Sequence, residues 1–156
     1  MNDLIRWEPN QVGIDYLVGK GRIERVQPSK EAATRLLSQA RLHLQSAQAL
    51  STTADLPMAF VAAYDAARKS LAAILAVQGL RARGGDGGHL VLLDVVRPQF
   101  PDNRKELQLF DWLRTIRNDA QYPDFDTPSV TTQDVQDAIP AATDIFHIAE
   151  SFVKQA

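Results

Sequence analysis

The sequence predicts an all-α fold, a bundle of about five helices, four long and one short, behind an N-terminal extension. Two observations carry this. Apolar residues recur at three- and four-residue spacing along the long stretches, and no stretch shows the alternation of a half-buried strand. The breaks between them hold the Pro, Gly, Ser, Thr and Asp residues expected where helices stop and start.

Residues 1–28 are punctuated by Pro9, Gly13, Gly19, Gly21 and Pro28 around the apolar cluster VGIDYLV. They read as an N-terminal extension, a short helix and turns packed on the main body or docked to a partner. GKGR within it lacks the Ser or Thr of a phosphate-binding loop and carries no nucleotide site. Residues 29–156 read as one helical domain.

From Ser29, a plausible N-cap, a first long helix runs to about Leu50, with Ala33, Leu36, Leu37, Ala40, Leu44 and Ala47 on one face. STTAD breaks it. A second helix starts near Asp55, admits Pro57 in its first turn and ends before Gly79, its inner face being Phe60, Ala63, Tyr64, Ala67, Leu71, Ile74 and Leu75. After the glycine-rich loop RARGGDGGH, His89 to Arg97 makes a short helix closed by Pro98. A fourth helix spans about Asp102 to Ala120, with Leu109, Phe110, Leu113 and Ile116 expected inward. The last starts near Thr131 or Thr132 and has the cleanest apolar stripe, from Val135 to Val153, with Pro140 expected to kink or split it.

Composition narrows the chemistry. The 156 residues contain no cysteine, which excludes disulfides, thiolate metal sites and a cysteine nucleophile. The three histidines, His43, His89 and His147, have no i, i+3 or i+4 partner among themselves, so neither a zinc centre nor any other cofactor is expected. No apolar stretch approaches the roughly 20 residues that span a bilayer. Acidic Asp3 and Glu8 spoil a signal-peptide pattern, and a cytoplasmic protein is the expectation. Charge is uneven: residues 1–117 hold 16 of the 17 Lys and Arg against 12 acids, whereas residues 118–156 hold one Lys against seven acids. Such asymmetry suits RNA binding, self-association or simple solubility.

One residue breaks the helical pattern. Arg117 lies seven residues after Phe110 and four after Leu113, so it emerges from the row that faces the other helices. A guanidinium there needs a carboxylate, carbonyl oxygens, water or a ligand phosphate. An ion pair with Asp65, Asp111 or Asp119 would make it purely structural. His89, behind GGDGG at a helix start, could meet a phosphate, or the glycines could simply turn the chain.

The segments AYDAARKSLAAILAVQGL, GGHLVLLDVV and LRTIRNDAQYPDF together resemble the HEPN superfamily, small helical domains common in prokaryotic toxin and defence systems, over about residues 29–155. Active members are metal-independent ribonucleases in which an Arg, often followed by a polar residue, works with a His a few residues on, usually across a homodimer. Here Arg117 and Asn118 match the first half, but Tyr122 stands where a His would. A tyrosine ordinarily titrates near about 10 and is a poor general base.

The resemblance therefore implies a non-catalytic, dimeric binding module that takes RNA or a nucleotide, and a nucleotidyltransferase-type partner in a toxin–antitoxin or defence pair. Arg114, Asn118 and Tyr122 line one helix edge with Arg117 beside it, and these four form the expected cluster, which binds the ligand or fixes the helix to a partner chain. The alternatives are a ribonuclease using Arg117 with Tyr122 or His89, and a structural bundle with Arg117 in an internal ion pair.

Overall fold

The computed structural model describes residues 11–84 and 87–156. Six α-helices and a two-stranded ribbon follow in the order α1 (Gln11–Gly19), β1 (Ile23–Arg25), α2 (Lys30–Leu50), α3 (Leu56–Gln78), β2 (Leu80–Ala82), α4 (Gly87–Val96), α5 (Arg104–Gln121) and α6 (Thr132–Lys154). Two 3-10 turns, Arg97–Gln99 and Pro101–Asn103, join α4 to α5.

The caps explain where these helices begin. Ser29 accepts the Ala32 amide at the head of α2, and Asp55 accepts that of Met58 at the head of α3. At α6 the Thr131 hydroxyl accepts the Asp134 amide while the Asp134 carboxylate accepts the Thr131 amide, a reciprocal capping box. Gly79 ends α3 at φ +78°, a left-handed geometry that glycine adopts without steric cost. A Cβ there would lie 2.8 Å from the Val26 carbonyl oxygen and 2.9 Å from the Pro28 ring, so the close passage of the chain also requires glycine.

α3 is the centre of the molecule and packs against α2, α4, α5 and α6. It is apolar nearly all round, as a helix surrounded by others must be. Ala63, Ala66, Ala67 and Ala73 let its neighbours approach closely, and the buried Ser70 hydroxyl is satisfied by the Ala66 carbonyl. Phe60, Tyr64, Phe110 and Phe146 are fully buried, each contributing roughly 1.5–3 kcal/mol by leaving water.

Three features differ from the pattern expected of the sequence. β1 and β2 pair antiparallel, Ile23 opposite Ala82, and tie the segment before α2 to the end of α3. Ile14 and Ile23 thereby join the common core. Leu109 is 43% exposed and Leu107 takes the inner position, because the buried row of α5 is Leu107, Phe110 and Leu113. Finally, α6 is not split at Pro140 but runs on as one helix; that residue and Gln136, whose carbonyl it leaves without an amide, both face solvent, where water can satisfy the group.

Candidate anion-binding site

The buried row of α5 leads directly to the site. Phe110 stacks on Tyr64 of α3 with ring centres 5.4 Å apart, and Trp112 meets Phe60 edge-on at 5.6 Å. These contacts fix the rotation of α5 against α3. Two turns beyond Phe110, the Arg117 side chain is half-buried, with its guanidinium carbon 5.3 Å from the centre of the Tyr64 ring.

Arg117 makes no ion pair among the described residues. Asp111 instead holds Arg114 at 3.0 Å, and Asp65 faces Arg68 at 3.5 Å. Among the described residues, the internal ion pair of a purely structural bundle, with Asp65, Asp111 or Asp119, is thus not formed. One Arg117 terminal nitrogen donates to the Asn118 side chain at 3.2 Å, but its Nε is buried without a hydrogen-bond acceptor. A buried, unsatisfied donor on a cation is costly, and an acceptor that reaches it gains that cost back in affinity.

Tyr64 links this cation to the start of α4. Its hydroxyl lies 2.7 Å from Nδ1 of His89. Burial pushes the phenol up to about 12 against the opposing pull of the Arg117 and Arg68 charges, so it keeps its proton at neutral pH. When that proton is donated to Nδ1, the imidazole carries its own proton on Nε2.

One turn after Tyr64, Arg68 shares one feature of Arg117, although it faces Asp65. It is half-buried, and its Nε likewise lacks a hydrogen-bond partner. Among the described residues these two guanidinium nitrogens are the buried side-chain polar atoms left unsatisfied. Arg68 and His89 also line a groove of about 640 Å³ between α2, α3, α4 and β2.

The residues expected from the sequence are therefore only partly gathered. Arg117 and Asn118 are in contact, and Arg114 is turned to Asp111. Tyr122 is the C-cap of α5, its amide bonded to the Asn118 carbonyl, with its ring 66% exposed and its side chain making no hydrogen bond among the described residues. His43 pairs with Lys69 at 2.8 Å, and His147 is exposed near Glu150. Tyr64 and Arg68 were not singled out. Their signal was faint: a Tyr and an Arg one turn apart on an otherwise alanine-rich helix.

A family model described as HEPN domain matches residues 33–152. The chain belongs to the HEPN family. No curated protein and no solved structure gives a match. In this HEPN domain the matched span runs from the first turn of α2 to the last turns of α6, and holds every residue of the cluster. No helix among the described residues is long and apolar enough to cross a membrane, and no three His, Cys, Asp or Glu side chains there gather as metal ligands would.

Proposed function

We propose that this HEPN domain is a non-catalytic binding module, a cytoplasmic homodimer that takes a phosphate-bearing ligand, RNA or a nucleotide, at the Arg117 cluster. The observation that carries it is the state of Arg117: half-buried, without a carboxylate among the described residues, and with an unsatisfied Nε–H. A phosphate oxygen supplies both the charge and the acceptor. Asn118 adds an amide beside it, and the exposed Tyr122 ring offers a face for stacking. Membership of the family also points to a nucleotidyltransferase-type protein as the partner in a toxin–antitoxin or defence pair.

Double substitution of Arg117 and Tyr122 to Ala separates ligand from partner. Loss of RNA binding by a protein that is still a folded dimer supports the site; loss of the dimer assigns the cluster to an interface instead. If neither changes, the site is wrong.

A ribonuclease is the second reading, and one contact favours it. The His89 imidazole sits 2.7 Å from the hydroxyl of the ring that carries Arg117. In the other tautomer, with Nδ1–H donating to the Tyr64 oxygen, His89 Nε2 would accept the 2′-hydroxyl proton as the 2′-oxygen attacks phosphorus and return it to the 5′-oxygen as that leaves, with Arg117 stabilising the phosphorane charge. Mixed RNA incubated with the protein in chelator decides between the two. Cleavage abolished by Arg117→Ala establishes the enzyme, and intact RNA at high protein concentration removes it.

A further inference from the structure

We infer that the groove beside the Arg117 cluster is a second subsite, which takes a base of the ligand whose phosphate Arg117 and Arg68 hold together. This rests on the anion-binding function proposed above and specifies what that ligand must carry.

Continuity is the first support. The groove follows α3 from Arg68 past Ala72 to Leu75 and Ala76, walled by Leu36 of α2, Leu80 of β2 and Leu92 of α4. Its Arg68 end also holds His89, which is bonded to Tyr64, and Tyr64 lies under Arg117. Arg68 borders the groove directly and Arg117 reaches it through Tyr64 and His89, so a phosphate at Arg68 has the groove beside it.

Shape is the second. At about 640 Å³ the groove falls within the roughly 300–1,000 Å³ of small-molecule clefts. Ala72 and Ala76, one turn apart and half-buried, form a floor without long side chains. Leucines at the walls and polar groups at one end match a flat ring joined to an anion.

Charge is the third. Arg68 Nε stands 3.5 Å from an Asp65 carboxylate oxygen, an ion pair too long to give it a hydrogen-bond acceptor. Arg68 and Arg117 both act on Tyr64, so their charges converge on one neighbourhood. Two guanidiniums whose Nε–H groups lack a hydrogen-bond acceptor bind one phosphodiester more tightly than either alone.

The test compares two probes, a fluorescently labelled single-stranded oligouridine and an abasic ribose-phosphate oligomer of the same length. Ala72→Trp fills the groove from its floor. It is expected to weaken oligouridine binding by about tenfold, the order of one lost base contact, and to leave the abasic oligomer bound as before. Arg117→Ala and Arg68→Gln are expected to weaken both probes. Equal binding of the two probes by the unaltered protein, or oligouridine binding untouched by Ala72→Trp, overturns the subsite while loss of both probes in Arg117→Ala keeps the anion site. Binding untouched by Arg117→Ala overturns the anion site itself. Thermal melting verifies folding, and Ala76→Phe carries the same expectation should Ala72→Trp not fold.

Discussion

The hydroxyl of Tyr64 lies 2.7 Å from Nδ1 of His89, so one fully buried phenol fastens the middle of α3 to the first turn of α4. Its ionisation is correspondingly penalised. The folded phenol titrates at about 12 against an ordinary 10.0, so the folded state binds its proton more tightly than the unfolded chain. The stabilisation is complete below pH 10 and is lost as pH rises from 10 towards 12, by about 2–3 kcal/mol in total. Denaturant unfolding measured across that range is expected to show the decline. Tyr64→Phe should remove most of this slope and cost about 1 kcal/mol at neutral pH for the lost hydrogen bond.

Gly79→Ala should be among the most damaging single-methyl additions in the chain. The substitution forces a Cβ into a left-handed residue and to within 2.8 Å of the Val26 carbonyl, whose amide is itself bonded to Gly79. We expect a loss of about 2 kcal/mol or more, read as a lower denaturation midpoint. Gly19→Ala, with open space around it, should be tolerated far better and serves as the control.

The turn that carries Phe125 is held by Asp124. The Thr127 hydroxyl, at 2.7 Å, and the amides of Asp126 and Thr127 all donate to its carboxylate, and together they hold the carboxyl below its usual value. Because its folded pKa is depressed, the order this lends is present above the unfolded pKa and disappears as pH falls through the folded one. Amide resonances of Asp126 and Thr127 should move together in an acid titration. Asp124→Ala should abolish that transition and leave the global unfolding midpoint nearly unchanged, because the turn is exposed.

Much of the fold could be read from residue order alone, for physical reasons visible at the caps. Ser29, Asp55, Gly79 and Thr131 act locally, so their chemistry shows in a few neighbouring residues. The same holds for Arg117, whose place after Phe110 and Leu113 follows from helical spacing. The ribbon was hidden because IER and LRA are three residues each and too short to show alternation. Leu109 was misplaced because a leucine next to Phe110 fits either side of the stripe until the packing of α5 on α3 selects Leu107. The contribution of Tyr64 and Arg68 depends on α4 and α5 being brought against α3. No local pattern encodes that meeting.

The proposed anion site rests on an Arg117 Nε–H that awaits an anionic acceptor. Its side-chain N–H resonance, assigned by its loss in Arg117→Lys, can be followed by proton–nitrogen NMR while oligouridine is added in chelator. We expect a saturable shift of that resonance at the concentration that saturates binding. A resonance that stays in place while the oligomer binds, or an oligomer that does not bind at all, would contradict the account.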